Sequence, residues 1–412
     1  MKIAVIGGGP SGLVASINAK NNFNEVYLFD KNPDFGKKLL LTGNGKCNYW
    51  NEFQDISKYH STNNDALKRI ITTNNLRRTK EFLDSLGIIP NIKNGYYYPF
   101  SNQSASIKTI LVEEAMNKGV IFKTNTEIKD IIKDKNFKVY YDNLCEEFDV
   151  VVIATGSKSY KKTGSDGYGY NIAKSFNINV LNISPSLVQL VTDTGLEKKW
   201  AGIRTLVKIN INEKEEEGEI QFTDYGISGI CVFNISRNIA INLANKKKQK
   251  VKINFIPWFN GNNEEFLKYL NLLDIKLNKK NISNLCDGFL NYKLTNVLAS
   301  KSKIDNNKKW SELTNTEKMT FINNIHNLEV DVIDTKGFES AQVCSGGISL
   351  DEINYETLET KKVSNLYFCG EVLDVDGDCG GYNLSFAFLS GLLVGRSIYD
   401  KSATSKSKYW WW

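Results

Sequence analysis

The stretch KIAVIGGGPSGLVAS, residues 2–16, decides the fold of this chain. Its apolar run at residues 3–6 is typical of a strand that is buried on both faces of a parallel sheet. Glycines follow this strand at once, and residues 13–19 then have the composition of a helix. The next apolar run ends at Asp30. Strand, glycine-rich turn, helix, strand and acid in this order predict a Rossmann-type fold that binds a dinucleotide.

Each residue of this pattern has a physical task. Gly7 permits a tight turn, Gly9 lets the backbone approach a pyrophosphate, and Gly12 lets the helix pack closely on the strand. The free N–H groups at the helix N-terminus face the phosphates. Asp30 can accept hydrogen bonds from an adenosine ribose. The pattern therefore indicates a dinucleotide, but it does not separate NAD from FAD.

The rest of the sequence shows no second unit of this kind. Residues 164–169 contain three glycines, but their order is wrong for a dinucleotide turn. The chain therefore has one dinucleotide fold, and the remaining contacts to its ligand must come from other segments.

Three further segments carry the small and polar residues that a flavin needs. Residues 36–48 combine Gly, Asn, Thr and Lys, and a surface hairpin is the alternative interpretation. Residues 149–156 are a β-branched strand that ends in small residues, as an ordinary strand also can. Residues 366–383 lead into an apolar helix, Leu384–Ile398, whose N-terminus would stabilise a reduced flavin; a core helix with a glycine-rich entry is the alternative. Together the three segments favour FAD.

These residues resemble the BaiN-like, aminoacetone-oxidase family of FAD-dependent oxidoreductases, a branch of the glutathione-reductase-like flavoproteins. The resemblance rests on GKKLLLTGNGKCNYWN at 36–51, VVIATGSKSY at 151–160 and GEIQFTDYGISGICVFNISR at 218–237. Its longest part is LYFCGEVLDVDGDCGGYNLSFAFLSGLLVGRSI at 366–398. The matching stretches run from one end of the chain to the other.

The resemblance implies an α/β fold with a Rossmann-like FAD-binding domain of the glutathione-reductase type, an inserted β-barrel and a helical subdomain. The FAD-binding domain is expected to be discontinuous, in residues 1–187 and 335–412. The barrel is expected in residues 188–262 and 326–345, and the helical subdomain in residues 263–325.

The resemblance also implies which residues contact FAD. They belong to the glycine loop, the end of the second strand and the three later segments: Gly7, Gly9, Ser11, Gly12, Asp30, Lys31, Lys38, Thr42, Gly43, Gly45, Lys46, Cys47, Asn48, Ala154, Thr155, Gly156, Gly370, Glu371, Asp374, Gly381, Tyr382 and Asn383.

The sequence departs from the family pattern at several positions. Asp30 stands where Glu is usual. Lys46 replaces an Arg, so a guanidinium that can form two parallel hydrogen bonds is replaced by an ammonium group that acts as a point charge. Asp224 stands where His is usual; if that His transfers a proton in relatives, this chain acts on a different substrate. The other departures are Ser157, Lys161 and Tyr168.

The expected activity follows from the cofactor. FAD carries the electron and hydride chemistry, and the protein supplies position and field. We expect non-covalent FAD, because the two histidines, His60 and His326, lie outside the expected contact segments. His60 is expected at the surface, and Cys47 is expected to be a packed residue. The reaction would join an unidentified small molecule and an acceptor, with NAD(P)H as a candidate donor; no catalytic residue is assigned.

Composition limits the partners. The chain has 412 residues, a net charge of +6 and seven scattered cysteines without a Cys-x-x-Cys. A metal site is therefore not expected. The cysteines are expected to be reduced thiols in a cytoplasmic protein. No apolar run approaches the roughly 20 residues that span a bilayer. The sequence has no sustained basic stripe with interleaved aromatic residues, so binding of nucleic acid is not expected. A flavoprotein that acts on RNA and a flavin-binding sensor without turnover remain alternatives, and the oligomeric state is open.

Some expectations concern single elements. Residues 66–86 are predicted as a helix, and short strands are predicted between residues 126 and 152. In the insertion, residues 230–233 and 340–343 are predicted as strands. The chain ends in Tyr-Trp-Trp-Trp at 409–412, to which the sequence assigns no role.

Overall fold

The computed structural model describes residues 1–211, 214–278 and 280–407, with side chains as far as residue 404. The terminal tryptophans lie outside the described residues. The chain divides into two compact units, one formed by Met1–Ser184 with Gln342–Trp412 and the other by Pro185–Ala341.

The α-helices of the described chain are α1 (Pro10–Ala19), α2 (Asn64–Ile70), α3 (Thr73–Ser85), α4 (Ser104–Asn117), α5 (Tyr168–Ser175), α6 (Glu197–Trp200), α7 (Ile230–Ala244), α8 (Asn263–Lys276), α9 (Ile282–Cys286), α10 (Tyr292–Lys301), α11 (Asn315–His326) and α12 (Tyr382–Ser407). Its short 3-10 helices are Leu39–Gly45, Ile56–Lys58, Lys161–Thr163, Trp310–Glu312 and Leu350–Glu352.

The strands are β1 (Lys2–Ile6), β2 (Glu25–Phe29), β3 (Trp50–Asn51), β4 (Tyr59–His60), β5 (Pro90–Lys93), β6 (Tyr96–Pro99), β7 (Ile121–Lys123), β8 (Ile128–Lys133), β9 (Phe137–Tyr141), β10 (Leu144–Phe148), β11 (Val150–Ile153), β12 (Ser184–Ser186), β13 (Leu190–Thr192), β14 (Arg204–Ile211), β15 (Lys214–Phe222), β16 (Gly226–Ser228), β17 (Gln249–Asn254), β18 (Leu328–Thr335), β19 (Val343–Ser345), β20 (Leu366–Phe368) and β21 (Asp376–Gly377).

A five-stranded parallel sheet in the order β20-β11-β1-β2-β7 forms the centre of the first unit. In the middle strand, Ile6 pairs with Ile153 on one side and with Phe29 on the other. Residues 3–6 are at most 5% exposed, because both faces of the sheet are covered. The segments that follow β1, β11 and β20 meet at one edge of the sheet, since the strands are parallel. The predicted Rossmann-type fold is confirmed.

Smaller antiparallel sheets complete the first unit. Strands β8, β9 and β10 form one of them, which confirms the short strands predicted between residues 126 and 152. A second has the order β3-β6-β5, and β21 pairs with β4.

The second unit contains a closed barrel in the order β13-β16-β15-β14-β17-β18. Helices α8 to α11 share one apolar core with the barrel, which joins Val207 and Ile253 of the strands to Phe266, Leu294 and Phe321 of the helices. The predicted fold class, with an inserted barrel and helices, is confirmed. Among the described helices of the chain, none is both long and apolar enough to cross a membrane.

Two strand predictions were wrong. Residues 230–233 begin helix α7, in which the buried positions recur at helical spacing: Cys231 and Val232, then Ile235 and Ser236, then Ile239 and Ala240. Four apolar residues in a row do not by themselves separate a strand from a helix. Residues 340–343 were placed too early, because the N–H of Ser340 donates to the Gly337 carbonyl in a turn and the strand begins at Val343.

The helix predicted at residues 66–86 is two helices, α2 and α3. Thr72 separates them, because its hydroxyl accepts the N–H of Asn75 at 3.1 Å and so caps a new N-terminus.

Helices α1 and α12 cross at a distance that only glycine permits. A Cβ at Gly391 of α12 would lie 2.4 Å from the carbonyl oxygen of Ser11, and one at Gly395 would lie 2.7 Å from the carbonyl oxygen of Ala15. Helix α12 therefore fixes α1, and with it the turn that precedes α1.

We expect Gly391→Ala to destabilise the first unit, because the added methyl must push backbone apart at a cost of about 1–3 kcal/mol. The melting temperature should fall by several degrees in a thermal melt. Gly288→Ala is the control, since a Cβ there meets nothing within 4 Å. Equal melting temperatures for the two variants would contradict this account of the crossing.

Candidate functional site

Close backbone approach shapes the glycine loop after β1. A Cβ at Gly7 would lie 2.4 Å from the carbonyl oxygen of Ala154, and one at Gly12 would lie 1.9 Å from the carbonyl oxygen of Gly7. Gly7 also has a φ of 106°, which side chains rarely adopt. Gly9, the N-cap of α1, differs, because a Cβ there would meet no atom within 4 Å. Packing therefore requires Gly7 and Gly12, whereas Gly9 borders open space.

The carboxylate of Asp30 binds this loop from the end of β2. Its Oδ2 accepts the N–H of Gly8 at 2.9 Å, and its Oδ1 accepts the N–H of Asn32 at 2.8 Å. The neighbouring Lys31 pairs with Asp166, with 2.6 Å between Nζ and Oδ2. Asp30 thus holds the loop at the edge where the adenosine of a dinucleotide is expected.

The end of β20 reaches the same helix N-terminus. Gly370 has a φ of 78°, and a Cβ there would lie 2.3 Å from Ser11 Oγ. Its N–H donates to Ser390 Oγ of α12 at 2.9 Å. The structure thus brings the expected contact residues of the glycine loop, of Ala154 and of Gly370 together around the start of α1.

A polar cluster joins the first and third of the later segments to Ser157 and Ser159, which directly follow the second segment. Lys38 Nζ lies 2.6 Å from Glu371 Oε2 and donates to Ser159 Oγ at 2.7 Å. The hydroxyl of Ser157 donates to the same oxygen of Glu371 at 3.1 Å. Ser157 and Ser159 are fully buried, and the side chains of Lys38 and Glu371 are about four-fifths buried. The departure at Ser157 therefore adds a hydroxyl to the surroundings of Glu371.

The segment at residues 36–48 is not a hairpin. It contains a 3-10 helix whose regular path breaks at Thr42, and Cys47 follows with a φ of 59°. The N–H of Cys47 donates to the Thr42 carbonyl at 3.0 Å. Burial of the thiol raises the pKa of Cys47 to about 12. Cys47 is therefore a packed residue, as predicted, while residues 43–46 are exposed.

The glycine-rich turn before α12 is held by Asn383. The N–H of Gly377 donates to Asn383 Oδ1 at 2.8 Å, and Asn383 Nδ2 donates to the Gly377 carbonyl at 2.8 Å. Gly381 has a φ of 93°, and a Cβ there would lie 2.8 Å from the carbonyl oxygen of Trp50. The end of the 36–51 segment and the α12 N-terminus therefore lie in contact.

Residues 58–62 were not predicted to take part in the site, but they bind the same turn. Asp374 Oδ2 accepts three hydrogen bonds from them: from Ser61 Oγ at 3.0 Å, from the N–H of Thr62 at 2.8 Å and from Thr62 Oγ1 at 2.5 Å. The N–H of Asp378 donates to the Lys58 carbonyl at 2.9 Å.

His60, which was expected at the surface, is partly exposed and also has a buried partner. Its side chain is 25% exposed, and its Nε2 lies 2.8 Å from Oδ1 of Asp378, which is 6% exposed. The pairing of β4 with β21 places the two residues side by side. The presence of a histidine was the only sequence signal, and the partner carboxylate lies more than three hundred residues away along the chain.

Buried polar atoms on this lining test whether FAD fits. Asp374 Oδ1, Thr155 Oγ1 and the Tyr170 hydroxyl are inaccessible and have no hydrogen-bond partner among the described residues. Burial raises the pKa of Tyr170, so its hydroxyl remains a neutral donor. Unpaired buried groups call for a partner from a ligand or from water. The hydroxyls and phosphates of FAD are such partners, so the residues fit this cofactor.

The departure at Asp224 lies in the second unit, exposed in the turn between β15 and β16. All seven cysteines are free thiols. Within the part of the chain that the structure describes, no group of three His, Cys, Asp or Glu residues could hold a metal ion.

Comparison with known proteins gives matches over nearly the whole chain. A family model described as the HI0933-like protein Rossmann domain matches residues 1–397. A 3-dehydro-bile acid delta(4,6)-reductase of Clostridium scindens is 36% identical over 408 residues, which cover 97% of this chain and 99% of that protein. A ribosomal RNA dihydrouridine synthase of Escherichia coli is 26% identical over 399 residues, which cover 96% of this chain and 97% of that protein.

A solved structure shares the fold at low sequence identity. It is a 3-ketosteroid delta1-dehydrogenase from Sterolibacterium denitrificans, with a TM-score of 0.51 and 10% identity. The match covers 97% of this chain and 99% of that one.

We expect Gly9→Val to reduce FAD loading while the fold remains, because a side chain there enters open space and keeps the backbone away from a pyrophosphate. The ratio of flavin absorbance to protein should fall at least tenfold at equal melting temperature of the FAD-free proteins. Gly7→Val is the contrasting variant and should fail to fold. A yellow, fully loaded Gly9→Val protein would contradict the placement of the phosphates.

The raised pKa of Cys47 leads to a second expectation. Because its thiol stays protonated below about pH 12 and is buried, iodoacetamide at pH 8 should not label it in the native protein. The exposed Cys145 should be labelled rapidly, and Cys47 only after unfolding in denaturant. Peptide mass mapping measures both, and comparable native labelling would show that the Cys47 loop opens.

Proposed function

Because the chain belongs to the HI0933-like family of Rossmann-domain proteins, we propose that it is an FAD-dependent oxidoreductase that reduces a carbon–carbon double bond conjugated to a carbonyl group. The names of the two curated relatives support this reaction class. A delta(4,6)-reductase of a 3-dehydro bile acid saturates bonds next to a ring ketone, and a dihydrouridine synthase saturates the bond next to a uracil carbonyl. The two relatives share this reaction class but act on different substrates. Their names therefore support the type of reaction more strongly than they support either substrate.

One observation supports a flavin most directly. Four segments that lie far apart in the sequence meet around the start of α1 and the start of α12, and Lys38, Glu371 and Ser157 join three of them. A nicotinamide dinucleotide needs the glycine loop and the acid that follows β2. The additional polar lining on the far side of the loop would hold a second half of the ligand, and the ribityl chain and ring of FAD are such a half.

Distinct groups of residues would hold the parts of FAD. Gly9 and Ser11 would contact the pyrophosphate, and Asp30 the adenosine ribose. Glu371 and Asp374 lie beyond β20, where they would contact the ribityl hydroxyls. The α12 N-terminus at Tyr382 would lie against the ring and favour negative charge on it. The remaining contact residues implied by the family resemblance would complete the contacts to FAD.

When it is bound, FAD accepts a hydride from a donor and passes it to the acceptor. We propose NADH or NADPH as the donor, which would bind transiently, because the sequence contains a single dinucleotide fold and FAD would occupy it. The substrate gains this hydride at the β-carbon and a proton at the α-carbon, so the double bond is saturated and NAD(P)⁺ is released. We place the reaction on a small molecule in the cytoplasm.

The second candidate substrate is a uracil base in RNA. The observation that favours it is the similarity to the ribosomal RNA dihydrouridine synthases of Escherichia coli and Haemophilus influenzae, at 26% and 27% identity over nearly the whole chain. The formal charge of +6 would not oppose RNA binding.

We expect the purified protein with FAD to be bleached by NADH or NADPH without oxygen, and to regain its colour with a 3-oxo-4-ene steroid such as 4-androstene-3,17-dione. Mass spectrometry should show a product heavier by two hydrogens. Ribosomal RNA transcribed in vitro, followed by analysis for dihydrouridine, is the parallel arm. Absence of flavin after FAD is added would contradict the cofactor, and reoxidation by oxygen alone would contradict the reductase.

A further inference from the structure

We propose that His60, oriented by Asp378, is the acid that gives the substrate its proton. This inference rests on the proposed function and adds the missing catalytic group to it. The observation that carries it is the pair itself: an imidazole Nε2 at 2.8 Å from a buried carboxylate, on the turn that leads into the α12 N-terminus.

The geometry suits transfer of a proton. Asp378 is 6% exposed, so it holds the ring in one orientation and stabilises the imidazolium form. One edge of His60 remains accessible, since its side chain is 25% exposed. The bond to Asp378 uses Nε2, which leaves Nδ1 for exchange with a substrate. Lys58 Nζ lies 3.4 Å from the second oxygen of Asp378 and reduces the charge of the carboxylate without displacing the histidine.

The backbone fixes this pair beside the expected ring position. His60 pairs with Asp376 across the β4–β21 ladder, and Asp378 follows directly. The two hydrogen bonds between Asn383 and Gly377 join that ladder to the first turn of α12. Asp30 lies on the opposite side of β1 from β11 and β20. If the adenosine binds at Asp30, the ring end of FAD would extend toward this turn.

The phenol and thiol groups at this turn stay protonated at neutral pH. Burial raises the pKa of Tyr382 to about 12 and that of Cys47 to about 12, and it raises the pKa of Tyr59 further. The charged groups beside His60 are Asp378 with its partner Lys58, and Asp376, which pairs with His60 across the ladder. Asp374 accepts hydrogen bonds from Ser61 and Thr62 instead.

The reaction balances with this assignment. Hydride enters at the β-carbon, its electron pair forms the new C–H bond, and the electrons of the double bond move to the carbonyl oxygen as an enolate. The positive end of α12 would favour negative charge on that oxygen as well as on the ring. The enolate then takes a proton from the imidazolium at the α-carbon, and neutral His60 regains a proton from water. General acid catalysis of this kind contributes about 10²–10⁴-fold to a rate.

The test compares His60→Gln with wild type, since glutamine can still donate to Asp378 and preserves a structural role. His326→Gln is the matched control, because it removes the other histidine, in the second unit. FAD content should be unchanged in both variants, and the melting temperature should be unchanged in His60→Gln; any loss of stability in His326→Gln is confined to the packing around that buried ring. Chemically reduced, FAD-loaded protein is then mixed without oxygen with 4-androstene-3,17-dione, and reoxidation is followed at the flavin absorbance band. His60→Gln should be about 10²-fold slower or more, whereas His326→Gln should match wild type.

A second readout needs no substrate. The absorbance spectrum of bound FAD should shift in His60→Gln and stay unchanged in His326→Gln, because only His60 lies beside the expected position of the ring. Asp378→Asn should load FAD normally and reoxidise more slowly than wild type. If wild type reduces neither the steroid nor RNA, the proposed function fails and the spectrum alone decides whether His60 lies at the flavin. An unchanged flavin spectrum, or equal reoxidation rates, in His60→Gln overturns the inference.

Discussion

The site depends on the close approach of two segments to Ser11, the second residue of α1. Gly370 lies against its side chain and Gly391 against its carbonyl oxygen, each at a distance that excludes a Cβ. Gly12, the next residue, lies equally close to the carbonyl of Gly7. The first turn of α1 therefore has one possible position. The unpaired N–H groups and the positive dipole of this helix N-terminus can bind a phosphate only where the turn places them, so phosphate binding depends on this packing.

Three acids in one stretch then attach the remaining segments. Glu371 binds Lys38, Asp374 binds Ser61 and Thr62, and Asp378 binds His60. The stretch between β20 and α12 thus contacts polar groups from two earlier parts of the chain. Because buried carboxylates need donors, each acid requires its partner segment, and the partners fix the shape of the lining. The stretch that most resembles the flavoprotein family is therefore also the one that organises the site.

The sequence predicted those parts of the fold whose causes are local. The strand, the glycines and the helix of residues 2–16 follow from neighbouring residues, and the long helix near the C-terminus follows from its apolar length. Residues 230–233 were misread because an apolar run has no period, and only Gly229 and the later spacing show the helix. The role of His60 could not be read at all, because its meaning depends on Asp378, which lies 318 positions away.

The two histidines of the chain show how surroundings decide function. His326 lies beside the rings of Phe259 and Phe266, with centroids 6.2 and 5.3 Å away, and its Nε2 has no partner among the described residues. Burial lowers the pKa of His326, so it stays neutral and packs as an aromatic ring. His60 has a carboxylate partner and an accessible edge instead. A histidine can cycle its proton only where a charge stabilises the protonated form and a path to substrate or water remains, and of these two environments only that of His60 supplies both.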